Sequence, residues 1–492
     1  MSEEKMSNSR RDFIKTAVAG AAAFSILPSS VIAGLGNPMP SDKLNIAAIG
    51  VGGIGFNNLN SLKNENIVAL CDVDWEYGQK TFRRWGNATR YKDFRVMFDN
   101  EKNIDAVLIA SPDHTHAIAA ISAMQLQKHV FVQAPMARSV FEMRKMVDIA
   151  KVYEVATQAG NQVASSDFTR DIAETFWKGY IGEVRDVFVW TSDPRWKQGV
   201  ELTDKRNRIP SGLDWDLFIG PSAFLPYNPD ITPFGWRAFW NFGNGTLGAA
   251  GAHLLEPVFR ALQLGVVDSV EASSGYYSLD VAPASEKIVF DFTQRDNMPK
   301  VAMPGVKVHW YDGGLLPDLP VKIPKQVNLN EFQSGIIFKG SEGMIVANVP
   351  DEVFYVIRDG EVITPDLVHS VRRVENSTLG HEADWVRACK ESSRNRLPAS
   401  ADFEGQAAMT ETILVGTMAL RMQSFRRKLK WDSAQMKFSN IYTNEEFEIV
   451  IPGGLYIENG IPKFNSTTKK YNAVHFVDQT VRPTYRDKWQ QV

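Results

Sequence analysis

Residues 43–74 read KLNIAAIGVGGIGFNNLNSLKNENIVALCDVD, and the order of residue types in them decides the fold. An apolar run at 44–49 enters Gly50-Val51-Gly52-Gly53-Ile54-Gly55, a segment of helical length follows, and a second apolar run at 67–71 stops at Asp72. Strand, glycine-rich turn, helix, strand and acid in this order describe a dinucleotide-binding βαβ unit. Gly50 permits the tight turn, Gly52 lets the backbone approach a pyrophosphate, and Gly55 lets the helix sit against the strand. The helix opening at Gly53 and Ile54 offers unpaired N–H groups and partial positive charge to phosphates. Asp72, 17 residues beyond Gly55, is placed to accept hydrogen bonds from an adenosine ribose. Its charge repels a 2′-phosphate, so the expected cofactor is NAD rather than NADP; the nearby pair Arg83-Arg84 is the feature that could hold the extra phosphate instead.

The chain has 492 residues, enough for two or three domains with cores of their own. Hydrophobic residues at 44% and charged residues at 23% are ordinary for a globular protein. A net charge of -3 gives no electrostatic case for nucleic acid or an anionic membrane. Twelve tryptophans and thirteen tyrosines provide flat faces that suit sugar rings as well as cores. At the start, Ser9-Arg10-Arg11-Asp12-Phe13-Ile14-Lys15 precedes an apolar run at 16–27 and the small-residue pattern Val31-Ile32-Ala33, which resembles a twin-arginine export leader over residues 1–34. The apolar run is short for a membrane span, so a periplasmic protein without stable membrane insertion is expected. Two cysteines, Cys71 and Cys389, exclude a disulfide framework, and no metal site is expected.

Beyond Asp72 the alternation continues, with strands expected at 105–110, 129–132 and 155–158 and helices at 117–126 and 139–153. The strands end in polar tails: Ser111-Pro112-Asp113-His114-Thr115-His116, Gln133-Ala134-Pro135, and Gly160-Asn161-Gln162. Residues 42–163 thus form a Rossmann domain with a parallel sheet, whose ligands lie beyond the carboxyl ends of the strands. From about residue 184 the pattern changes to strands at 184–191, 269–274, 287–293, 307–311, 335–339 and 344–347, punctuated by turns such as Asp312-Gly313-Gly314. Helices are expected there at 254–264, 382–390 and 404–426. The fold class is α/β: an N-terminal dinucleotide-binding domain, an α+β domain over 164–440 with a large, mainly antiparallel open sheet, and an extension over 441–492 that packs back on both.

With these pieces laid out, the chain resembles the glucose-fructose oxidoreductase, inositol dehydrogenase and MocA (Gfo/Idh/MocA) family, in particular an exported Bacteroidetes-type branch acting on glycosides. The resemblance runs from about residue 43 to the C-terminus. It rests on the glycine-rich turn, SPDHTHA at 111–117, QAPMARS at 133–139, VATQAGNQ at 155–162 and DWDLFIGP at 214–221. WRAFWNFGNGTLGAAGAH at 236–253, HEADWVRACK at 381–390 and PTYRDKW at 483–489 extend it. It implies hydride transfer between a sugar hydroxyl carbon and a nicotinamide, with the second domain carrying the substrate site and an oligomer interface on its sheet. It also implies that Ser111, Pro112, His114, His116, Gln133 and Pro135 border the nicotinamide half of the cofactor. His253 is expected as the catalytic base, and Asn161, Gln162, Trp236 and Arg237 as substrate contacts.

Two departures stand out. The family's lysine is replaced by Ala134, and the aspartate expected four residues before His253 is Ala249. Oxidising a hydroxyl needs a base for the proton and charge that stabilises the developing alkoxide. Of the three groups to which the family's chemistry is attributed, His253 alone remains; Lys178 and Lys197 are the candidate replacements for the lysine. Three functions therefore compete. The first is a sugar or glycoside oxidoreductase, including a variant that oxidises transiently so that a glycosidic bond can be eliminated. The second is a non-catalytic nucleotide- and carbohydrate-binding partner, and the third a glycosidase using two carboxylates.

Overall fold

The computed structural model describes residues 42–200, 207–275, 278–318 and 323–489. The leader expected over residues 1–34 lies outside them.

The first sheet is built from β1 (Asn45–Ile49), β2 (Asn66–Cys71), β3 (Thr89–Tyr91), β4 (Ala106–Ile109), β5 (His129–Gln133) and β6 (Thr157–Gly160). All pairings are parallel and the order is β3-β2-β1-β4-β5-β6. Ile46, Ala47 and Ala48 are completely buried, which explains why β1 reads as a continuous apolar run: both faces are covered by helices. Those helices are α1 (Ile54–Ser61), α2 (Gln79–Arg84), α3 (Phe94–Asn100), α4 (Asp113–Gln125) and α5 (Val140–Val152). Ser139 caps α5, its hydroxyl accepting from the Glu142 amide. Helix α4 starts at Asp113 rather than near 117, because Pro112 sets the entry and Asp113 suits the positive end of the helix. The last strand, expected at 155–158, lies two residues further on.

Helix α6 (Asp167–Trp177) leads into a ten-stranded sheet made from β7 (Val184–Thr191), β8 (Ser269–Ser274), β9 (Glu286–Phe292), β10 (Val306–Tyr311), β11 (Ser334–Gly340), β12 (Met344–Asn348), β13 (Val353–Arg358), β14 (Glu361–Ile363), β15 (Leu429–Asp432) and β16 (Lys437–Phe438). Its order is β14-β13-β12-β11-β7-β10-β9-β8-β15-β16, and the β7–β10 pair alone is parallel. A short helix, α7 (Trp215–Ile219), and α8 (Gly245–Leu262) lie between β7 and β8, and α9 (His381–Lys390) and α10 (Phe403–Arg421) follow β14. Helices α6, α8 and α10 cover one face of the sheet. Phe176, Leu255 and Ile413 meet Val189, Phe290 and Ile336 in one buried core, and each such side chain is worth roughly 1.5–3 kcal/mol.

Helix α8 was expected at 254–264 but begins at Gly245. The stretch Gly245-Thr246-Leu247-Gly248-Ala249-Ala250-Gly251 is helical because its small residues let α8 press against its neighbours. A Cβ on Gly251 would stand 3.2 Å from Ile413, and Gly248 leaves room for Asn244. His253 therefore sits mid-helix, not at a helix start. The chain ends in a long hairpin, β17 (Glu446–Glu458) with β18 (Ile461–Asn472), and α11 (Ala473–Val481). Phe447 and Phe476 join the core of the second sheet, whereas Trp489 joins that of the first.

Candidate active site

The glycine-rich turn is held by its backbone. Gly50 has φ +77°, its N–H donates to the Cys71 carbonyl at 2.9 Å, and a Cβ there would fall 2.5 Å from the Ser111 nitrogen. A Cβ on Gly55 would stand 2.1 Å from the Gly50 carbonyl oxygen, so α1 can approach β1 only without one. Asp72 closes the turn: one carboxylate oxygen accepts from the amides of Val51 (2.8 Å) and Gly52 (3.3 Å), and the other from that of Asp74 (2.9 Å). Burial raises its pKa to about 6 against the pull of these bonds. Gly50, Gly52, Gly53, Ile54 and Asp72 all border one open cavity, joined by Ser111 and Pro112 beyond β4. Arg83 and Arg84 do not border it. Tyr77 does, and sequence reasoning missed it; its ring lies on Gly52, where a Cβ would be 2.2 Å from Tyr77 Cδ1.

The opposite wall comes from the segment between β7 and α8. Trp236 and Arg237, expected to face a sugar, border this same cavity. The Arg237 guanidinium lies 4.2 Å from the Trp236 ring and 4.3 Å from the Phe234 ring, and donates to the Phe234 carbonyl at 3.2 Å. Burial lowers its pKa, and Asp113, itself raised to about 7 by burial, acts in the opposite direction. A desolvated guanidinium facing amide-rich backbone suits a pyrophosphate. The donors around the cavity, the amides of the glycine-rich turn and Arg237, thus suit a dinucleotide.

The paired histidines lie behind the cavity instead of bordering it. His114 Nε2 is 2.8 Å from the Phe218 carbonyl and Nδ1 is 3.3 Å from that of Phe242. His116 spans the Pro135 carbonyl (2.9 Å) and the Ser111 carbonyl (2.7 Å). Burial pushes their pKa values down to about 3 and about 4, so both rings are neutral and each donates to one carbonyl at a time. They act as clamps between loops, not as ribose contacts. Gln133 is also turned inward: it donates to Asn58 at 2.8 Å, and Asn58 donates to Glu382 at 2.7 Å. Asn161, expected at the substrate, is fully buried and donates to Glu256 and Gln406, both at 3.0 Å. Gln162 is half-buried beside Glu382.

Gly248 of α8 comes close to Pro135, with a Cβ on it only 3.8 Å from the proline ring. Ala134 packs against the core of the second domain. Ala249 and His253, four apart, share one face of α8. The His253 ring is half-buried and, among the described residues, makes no hydrogen bond. Burial lowers its pKa, with Glu256 opposing, so the ring is a neutral acceptor at pH 7. Neither candidate lysine stands in for Ala134: Lys178 bonds the Asp366 carbonyl and Lys197 pairs with Asp230 at 3.2 Å. Among the described residues no group of three metal-type side chains gathers. A close carboxyl pair, Glu286 and Asp312, is wholly buried in the second sheet and closed to substrate.

The sequence model for the NAD-binding Rossmann fold of the Gfo/Idh/MocA oxidoreductases matches residues 44–161, and that for their C-terminal α/β domain matches 184–280. A myo-inositol 2-dehydrogenase of Thermotoga maritima is 26% identical over 155 residues, 31% of this chain and 46% of its own length. A glycosyl hydrolase family 109 protein of a Shewanella species is 33% identical over 128 residues, 23% of this chain and 27% of its own. The chain thus spans less than half the length of these curated relatives. Among solved structures, the WlbA dehydrogenase of Bordetella pertussis, in complex with NADH and UDP-GlcNAcA, aligns over 79% of this chain and 99% of its own. Its TM-score is 0.52 at 15% identity, a likeness of fold.

Proposed function

From the premise that the chain belongs to the Gfo/Idh/MocA oxidoreductases and carries their NAD-binding Rossmann domain, we propose that it oxidises a hydroxyl of a sugar or glycoside. The observation that carries this reading is His253, neutral, without a hydrogen bond among the described residues, and one helical turn from Ala249 on α8. Bound in the cavity, NAD supplies a hydride acceptor for the carbinol carbon. His253 takes the hydroxyl proton, a role its neutral ring fits without a second base. Arg237 and the amides of the glycine-rich turn hold the dinucleotide, and the His116 clamp fixes the Ser111 and Pro135 loops that frame the reacting carbon. The similarity to family 109 glycosyl hydrolases supports the variant in which oxidation is transient and a glycosidic bond is eliminated. The leader-like residues 9–15 support action in the periplasm, and the large open sheet supports a homo-oligomer, testable by light scattering.

Single-turnover mixing of the NAD-loaded protein with a pool of glycosides, followed by nicotinamide absorbance, tests the reading. A redox change that disappears in His253→Ala is the expected outcome, and no change with any glycoside sinks it. A second reading, a non-catalytic binding partner, is favoured by Ala134 and Ala249. Ala134→Lys with Ala249→Asp separates the two: a gain of turnover from nothing identifies a protein that binds without reacting, whereas an active parent that loses turnover uses its alanines as they stand.

A further inference from the structure

We infer that the C-terminal segment 483–489 belongs to the cofactor site, with Trp489 forming the wall on which the adenine ring stacks. The sheet order sets the orientation. Strand β1 carries the glycine-rich turn for the pyrophosphate, β2 carries Asp72 for the ribose, and β4 carries Ser111 and Pro112 toward the nicotinamide. The adenine end must then lie past β2, at the tip of β3, where Lys92, Asp93 and Phe94 border the cavity. Trp489 borders the cavity at this same place. The indole is 4% exposed, 6.0 Å from the Phe94 ring and covered by the Arg95 guanidinium at 4.0 Å.

The segment is pinned along its length. Tyr485 donates to Glu142 of α5 at 2.6 Å, which ties it to the first domain. Arg486 donates to the Gly220 carbonyl (2.9 Å) and to the Asp216 carboxylate (2.7 Å) and carbonyl (2.9 Å), which ties it to the α7 loop. That loop carries Leu217 and Phe218 to the cavity, so one strap fixes walls from both domains. The Lys488 carbonyl accepts from Arg95 at 3.2 Å and sets the indole beside α3. An indole held by a guanidinium is a rigid flat ring, the kind of surface on which a purine base stacks.

The test is NADH binding by nicotinamide fluorescence, with AMP and nicotinamide mononucleotide as competitors. Trp489→Ala is expected to weaken NADH and AMP about tenfold, the usual loss of one base-stacking platform, while nicotinamide mononucleotide stays unchanged. Unchanged NADH and AMP binding overturns the inference. Equal weakening of nicotinamide mononucleotide also overturns it, because the indole would then be general packing. Should the alanine variant fail to fold, Trp489→Leu decides, since it keeps apolar bulk against Phe94 without an aromatic face. The same selective loss supports the adenine wall, and its absence removes it.

Discussion

The two ends of the cleft are built on different principles. At the dinucleotide end the working parts are backbone: Gly50 at φ +77°, Gly55 without a Cβ to hold off the Gly50 carbonyl, and the start of α1. Where the reaction is proposed the working parts would be side chains, and two of those expected there are methyl groups, Ala134 and Ala249. Ala134 packs well against the second-domain core, so the scaffold is satisfied without a charge at that position. On the proposed function, binding and chemistry are therefore separable in this fold. The first depends on where the chain can bend, the second on a few functional groups.

Acidification has the largest expected effect, because four imidazoles, the His114 and His116 clamps among them, are held neutral by burial. His114, His116, His129 and His381 are held at about 3 to about 4 by burial. The unfolded state binds more protons between these values and about 6.5, so stability falls as pH drops through that window, by several kcal/mol per group in order of magnitude. Urea unfolding at pH 4, 5.5 and 7 measures it, and His116→Gln should flatten the decline. Asp72 and Asp113 have the opposite sign: raised to about 6 and about 7 by burial, they contribute stability that is lost as pH rises through those values.

Next comes Gly55→Val, which drives a side chain into the Gly50 carbonyl and should weaken NAD binding on the order of 100-fold by calorimetry. His253→Ala tests the other end. Turnover should fall by about 10²-fold or more with NAD affinity unchanged, and a joint loss of both would break the separation drawn above. The smallest effect is expected from Asp72→Asn. The amide oxygen can still accept from the Val51 and Gly52 amides, the bond from the Asp74 amide is lost and the charge is gone, so preference for NAD over NADP should narrow by about tenfold.

How much of this was legible varies with the range of the interactions involved. Strands β7 and β8 fall where the sequence puts them, because a buried strand in a two-layer core must read as an apolar or alternating run. Helix α8 begins nine residues earlier than its sequence indicates, because the glycines at 245, 248 and 251 disfavour a helix locally and the stretch gains its helix from packing on α10. Short elements such as β3 and α2 carry too few residues for a period to show. Tyr77 had no signal at all, and Trp489 stood out only as the end of the PTYRDKW motif, with nothing to place it at the cavity.

By itself the sequence determined the dinucleotide turn, the order of strands and helices that follows it, and the alanines at two positions where charge was expected, since each is a matter of local residue type and spacing. Tertiary structure decided which polar groups face the cavity. It turned His114, His116, Gln133 and Asn161 inward, brought Arg237 to the cavity, and left His253 without a hydrogen bond among the described residues. The reason is that a buried polar group must find a partner, and its partners here lie tens to hundreds of residues away along the chain.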